Sequence, residues 1–338
     1  MTRWELIVSD VMREVEALLR DHKPGPVFKS KQGALWKLAS RTRGSFWKRL
    51  AFHLSRKTYK EWDNAGGNLG PGLCREFWPL VNNPGPYEAA WAMLEDDESR
   101  AVFEWRLKVR LIMPFVLRWE DVLPAPPAPG VSGLSIGAEE EVFCKDFKTG
   151  QYLLQGICMP EQGDVVLDLG AYLGDSAVIF SRLVGPTGHV YSFEALPSQF
   201  AKLEKNLARF DCGNATACFN AAWNSNEELL MCENRASSAV GCGTIPVPGV
   251  RIDDFVRERG IERVDFIKMD IEGAEQEALE GCARTIRDFT PKLALSAYHK
   301  PEDLHRIMEI VKDINPGYRF YMRHYNPGFC DTVLYAVP

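Results

Sequence analysis

The sequence predicts an α/β fold: a doubly wound, mostly parallel sheet, with a helical region ahead of it. Three observations carry that expectation. From residue 164 to the C-terminus, short apolar runs alternate with amphipathic helical runs, the pattern of a sheet covered by helices on both faces. The run "DVVLDL" is nearly continuous in apolar residues and bounded by turn signals, as expected of a strand buried on both sides. A proline-rich connector, "LPAPPAPGVSG" over 123–133, separates this half from a different one before it. Two domains are therefore expected, 1–130 helical and 131–338 α/β.

The N-terminal half reads as helical. In "MTRWELIVSDVMREVEALLR", Trp4, Ile7, Val8, Val11, Val15 and Leu18 recur at helical spacing. The spacing breaks up the apolar residues, so the segment does not read as a signal peptide. Helices are also expected in "SFWKRLAFHLSRKTYKEW" and, as one element, in "PYEAAWAMLEDDESRAVFEWRLKVRLI". The half holds eight of the nine tryptophans, and Lys23 to Lys60 contains no acid. Trp36, Phe46 and Trp47 interleave with its basic residues. Such a stretch could grip an anionic substrate or stack on a base; the plainer reading is a helical lid with a solvated basic face.

The C-terminal half runs strand by strand. "DVVLDL" is followed by a helix in "SAVIFSRLV", and "HVYSFEA" is the next strand. Pro197 suits the first turn of a helix carrying Phe200, Leu203, Leu207 and Phe210 on one face. "ATACFNAAW" is expected as one strand, and "VDFIKMDIE" as another. A single helix with Ala274, Ala278, Cys282 and Ile286 aligned follows it. "KLALSAYH" is a strand and "PEDLHRIMEIVKDI" a helix. "YRFYMRHY" and "DTVLYAV" are joined by "NPGFC", close enough to pair as a hairpin and make one edge strand antiparallel.

Composition excludes little but points one way. The chain has 338 residues and a net charge of -6, so bulk electrostatics gives no reason to expect nucleic acid. No apolar run reaches the length of a membrane span. The nine cysteines include no CxxC pair and no zinc-ligand spacing. They read as reduced thiols of a cytoplasmic protein.

In doubly wound sheets, ligands bind outside the carboxyl ends of the strands. The first strand delivers Asp168 and the loop Gly170, Ala171, Tyr172, Leu173, Gly174; the second delivers Glu194, the third Asn220 and Ala221. The fourth delivers Asp270 and Glu272, and the fifth Tyr298 and His299. Small residues after Asp168 would let the backbone approach a ligand. Glu194 stands where a carboxylate can accept both hydroxyls of a ribose. The loop reads DxGxxxG rather than the GxGxxG of dinucleotide sites. Asp168 and Asp175 around it would repel a pyrophosphate and suit a cationic tail, which points to S-adenosylmethionine.

The segment from Val165 to Val337 resembles the FkbM family of S-adenosylmethionine-dependent methyltransferases. The resemblance is carried by "VVLDLGAYLGDS", "VYSFEALP", "VRIDDF", "VDFIKMDIEGAEQEALEG", "PKLALSAYHKPEDL" and "TVLYAV". "LEDDESRAVFEWRLKVR" resembles the segment that often precedes that domain. The resemblance implies a class I methyltransferase (Rossmann-like) fold. It implies cofactor contacts at Asp168, Gly170, Gly174, Asp175, Glu194 and Asn220; Ala171, Tyr172, Ser176, Ala195, Ala221 and Asp270 complete the expected set. It also implies acceptors that are mostly hydroxyls of sugars or natural products, with peptide nitrogen in some members.

A hydroxyl acceptor needs a base, and Asp270, Glu272 and His299 are the candidates. Each has a plainer reading. The two acids could cap the following helix, and His299 could be a surface residue of a turn. The same three could hold a divalent metal, a possibility open but not favoured. Asp253 and Asp254 read as turn and cap residues. The leading expectation is an O-methyltransferase for a small molecule. An N-methyltransferase for a peptide side chain is the alternative; a non-catalytic binding module and a dehydrogenase stand further off.

Overall fold

A computed structural model of the chain describes residues 83–112, 125–129, 137–144, 149–234, 237–240, 243–328 and 330–338. The helices expected before residue 83, and most of the proline-rich connector, lie outside them. Among the described residues, 83–92, 100–112 and 125–126 fall in one compact unit, and 93–99 and those from 127 onward in a second. No helix among the described residues is long and apolar enough to cross a membrane.

In place of the one helix expected over 86–112 there are two, α1 (Gly85–Met93) and α2 (Asp97–Ile112). The break has a local cause. Asp96 Oδ1 accepts the Ser99 N–H at 2.7 Å, capping the first turn of α2 and competing with a continuous helix. A short helix α3 (Ala138–Phe143) precedes the sheet.

The sheet strands are β1 (Val165–Leu169), β2 (His189–Phe193) and β3 (Ala215–Cys218), alternating with α4 (Asp175–Val184) and α5 (Pro197–Arg209). Pro197 sits in the first turn of α5. An insertion follows: β4 (Ala221–Trp223), β5 (Glu228–Asn234), β6 (Ser237–Val240), β7 (Ile245–Arg251) and α6 (Ile252–Glu258). The chain returns through β8 (Phe266–Met269), α7 (Glu275–Gly281), α8 (Ala283–Phe289), β9 (Lys292–Ser296), α9 (Asp303–Ile314), β10 (Arg319–His324) and β11 (Thr332–Val337).

Seven strands form the main sheet in the order β10-β11-β9-β8-β1-β2-β3. β1 pairs parallel with both β2 and β8, so the chain winds outward from β1 in one direction and later resumes on its other side. That reversal opens a crevice at the carboxyl ends of β1 and β8. All residues of β8 and β11 are buried, as two-sided covering requires. Phe180 of α4 meets Phe266 of β8 edge-on at 5.6 Å, and Phe193 meets Phe255 at 4.8 Å.

Three expectations need correction. The antiparallel strand is β11, which pairs with both β10 and β9; it lies one place in from the edge, and the edge strand is β10. The run "ATACFNAAW" is two strands, because the chain leaves the main sheet at Phe219 and Asn220. Its second part, β4, joins a four-stranded sheet β4-β7-β5-β6 that the sequence did not predict. The helix over 274–286 is broken at Cys282 into α7 and α8. A Cβ on Gly281 would stand 2.0 Å from the Trp223 carbonyl oxygen, so that turn needs glycine for close approach of β4.

Candidate active site

The loop after β1 is held from beneath. Asp168 is fully buried; its carboxylate accepts the Ser176 hydroxyl at 2.7 Å and lies 3.2 Å from Lys268 Nζ. Lys268, on the neighbouring strand β8, also donates to the carbonyl oxygen of Gly170. Burial works against its charge, but Asp168, Asp270 and Asp175 outweigh that and hold the ammonium above its ordinary range. Asp168 thus ties the start of α4, through Ser176, to β8, through Lys268.

Gly170 has φ +84, and a Cβ there would lie 1.9 Å from the Asp270 carbonyl oxygen. Its smallness serves the packing of the β1 and β8 ends against each other. Ala171 is fully buried as well. Gly174 is left-handed at the N-cap of α4, and a Cβ would approach Leu203 Cδ1 to 2.8 Å.

The exposed part of the loop is Tyr172, 51% accessible and left-handed at φ 47. Its N–H donates to Glu194 Oε2 at 3.0 Å, while Glu194 Oε1 accepts the Leu196 N–H at 2.8 Å. Burial raises the Glu194 carboxyl, opposed by those two backbone donors. A carboxylate offers about four acceptor positions, so two bonds fix Glu194 and leave room for the paired hydroxyls of a ribose. Among the other residues expected at the cofactor, Asp175, Ala195 and Asn220 are half-buried and Ala221 is buried. Burial pushes Asp175 up to about 6, with Lys268 opposing and Asp168 adding. These residues fit a nucleoside with a cationic tail.

A second group of side chains gathers at the ends of β8 and β9. Asp270 accepts the Tyr152 hydroxyl at 2.8 Å and the Tyr298 hydroxyl at 3.0 Å. His299 Nδ1 lies 3.0 Å from Glu275 Oε1, which also accepts the Ile271 N–H at 3.0 Å. On its other side, His299 Nε2 is 3.6 Å from Asp270 Oδ1 and 3.5 Å from Glu272 Oε2. Glu272 is left-handed at φ 56 and Gly273 follows at φ 95, a strained turn that aims the Glu272 side chain at the ring.

The charges follow from this crowding. Burial disfavours a charged His299, but the Glu275 bond and then Asp270 and Glu272 outweigh it, raising the imidazole to about 9. Burial pushes Glu272 up to about 7, with His299 opposing. Asp270 stays below its ordinary range, because His299, Lys268 and the Tyr152 hydroxyl outweigh its burial. His299 is therefore not the surface residue of a turn: its ring is buried among the carboxyl groups of Asp270, Glu272 and Glu275.

The structure brings Asp270, Glu272 and His299 together, as the strand order requires, and adds Lys268, Glu275, Tyr152 and Tyr298. Lys268 had a signal: a lysine within the apolar run "DFIKMD" has to find a partner inside the sheet. Glu275 lay within a matched motif with nothing in its spacing to separate it from a cap, and Tyr298 stands at the fifth strand's end beside His299 with no signal of its bond to Asp270. Tyr152, in a turn outside any regular strand or helix, had none. Asp253 proves to be a cap of a non-local kind. It accepts the Arg284 and Thr285 N–H groups of α8 at 3.0 and 2.8 Å.

Residues 168–320 match the family described as "Methyltransferase FkbM domain". The chain is 26% identical over 197 residues to 31-O-demethyl-FK506 methyltransferase FkbM of Streptomyces tacrolimicus, covering 48% of this chain and 75% of that one. It is 27% identical over 143 residues to 2-O-methyltransferase NoeI of Sinorhizobium fredii, covering 36% and 58%. Among solved structures, methyltransferase FkbM from Methylobacillus flagellatus aligns with a TM-score of 0.60 at 22% identity, over 80% of this chain and 63% of that one. The chain thus spans less than two thirds of the last two, and the structural likeness bears on the fold.

Proposed function

The chain carries a methyltransferase FkbM domain, and on that premise we propose that it methylates a hydroxyl oxygen of a sugar or another small natural product. S-adenosylmethionine supplies an electrophilic methyl group, which the acceptor oxygen takes as its O–H proton leaves and the carbon–sulfur bond breaks, giving S-adenosylhomocysteine. The observation that carries the reading is the cluster of Asp270, Glu272, Glu275 and His299 beside the crevice. A hydroxyl has to lose its proton during attack, and it needs a group within hydrogen-bond reach to take it. We assign that role to Glu272, whose carboxyl burial raises to about 7 and which His299 holds at 3.5 Å; from there the proton passes to solvent. Glu194, fixed by two backbone donors, orients the ribose, and the Tyr172 loop covers it. Orientation at near-attack distance is the rest of what the protein contributes. Two similar proteins are named for transfer to oxygen, in FK506 and at a 2-O position, and this supports the same acceptor atom here.

The test is to incubate the protein with methyl-labelled S-adenosylmethionine and panels of glycosides, hydroxylated small molecules and peptides, then locate the label by mass spectrometry. Label on a hydroxyl oxygen is expected; label on peptide nitrogen would overturn the reading. His299→Ala should lower turnover about 100-fold or more, and wild-type turnover in that variant would remove His299 from the mechanism.

A further inference from the structure

Asp270, Glu275 and His299 each bring one ligand atom within 4.8 Å of the other two. They come from three separate places: the end of β8, the first residue of α7 and the turn after β9. The Glu275 side chain is fully buried and that of His299 is 10% accessible. The spacings between donors are 3.0 Å from Glu275 to Nδ1 and 3.5–3.6 Å from Nε2 to Glu272 and Asp270.

A second observation points to a ligand. His299 Nε2 and Glu275 Oε2 are both buried and make no hydrogen bond. A buried polar atom left unpaired costs about 1–3 kcal/mol, and two within one cluster call for a partner. The carboxylates are also braced from behind. The Tyr152 and Tyr298 hydroxyls hold Asp270, and the Ile271 N–H holds Glu275, as outer-shell bonds do for ligating groups.

We propose that Asp270, Glu275 and His299 bind one divalent cation, with Glu272 at the rim as a further carboxylate. Two or three carboxylates with one imidazole favour a hard ion of the Mg2+ or Mn2+ kind. Of the cation ligands the sequence allowed, Asp270 and His299 remain central, Glu272 moves to the rim, and Glu275 is new. Binding of the ion does not depend on which acceptor is used. Its use, polarising a hydroxyl of the acceptor, rests on the reading of the chain as an O-methyltransferase.

The experiment adds Mn2+ to the purified full chain without methyl donor or acceptor and follows free Mn2+ by electron paramagnetic resonance. One ion bound per chain and displaced by Mg2+ is expected. Asp270→Asn and Glu275→Gln should abolish binding. Tyr298→Phe, which removes only the hydroxyl that braces Asp270, should weaken it about ten-fold. Absence of binding by the wild-type chain at Mn2+ on the order of 1 mM would overturn the proposal, as would undiminished binding by a folded Asp270→Asn variant. Neither result would touch the methyl-transfer reading. A chain that bound Mn2+ but methylated no hydroxyl would overturn that reading alone.

Discussion

Lys268 shows how one residue sets the terms for its neighbours. It is buried with Asp168 between the first two strands that meet at the crevice. It also donates to the Gly170 carbonyl, so one ammonium fixes both the end of β1 and the start of the loop. Lys268→Met would leave the Asp168 charge buried without its partner. Removing one member of a buried pair costs about 3–5 kcal/mol. Urea denaturation should show a loss of that size; a loss under about 1 kcal/mol would mean that the pair does not hold the loop. The residue types at this level were legible, their pairings less so. Asp168 reads in sequence as a ligand contact because it ends a strand beside a glycine. Its burial against Lys268 depends on β8 lying next to β1, about a hundred residues away.

At the scale of elements, the insertion and the helix ends carry the non-local information. Asp253 stands at the start of α6, yet its carboxylate accepts two N–H groups and the Thr285 hydroxyl at the start of α8. One side chain therefore satisfies donors that α8 cannot pair for itself. Asp253→Ala should cost about 1–2 kcal/mol and loosen α8 first, seen as faster amide hydrogen exchange at Arg284 and Thr285. Unchanged exchange there would remove Asp253 as the cap. The strand run over 215–223 misled for a related reason. Its residues suit a strand throughout, but after Cys218 the chain pairs Ala221–Trp223 with β7 in another sheet. Propensity reports that a segment can be extended, not which partner it takes.

At the scale of the whole molecule, the cofactor expectation bears on stability. A ligand that binds only the folded chain stabilises it by mass action. At a hundred times its Kd the gain is about 2.7 kcal/mol, and each kcal/mol moves the midpoint by roughly 2–4 °C for a unit of this size. S-adenosylhomocysteine should therefore raise the melting temperature by about 5–10 °C, while NAD leaves it unchanged. The reverse pattern would return the crevice to a dinucleotide. The expectation draws on the whole second unit, because Glu194, Asn220 and Asp175 come from different strands and a helix start. They stand at one end of the sheet only once β1, β2 and β3 are in register.

By itself, the sequence determined the alternation of strands and helices, the place of the loop after β1 and the strand ends that carry acids and His299. Each of these is a matter of local spacing, which the period of a strand or helix imposes on the chain. Tertiary structure alone decided that β11 inserts between β10 and β9, that Lys268 neutralises Asp168, and that Glu275 and two tyrosines close around Asp270 and His299. Those facts depend on which distant segments become neighbours. Side-chain charge, burial and hydrogen bonding are properties of the neighbours as much as of the residue.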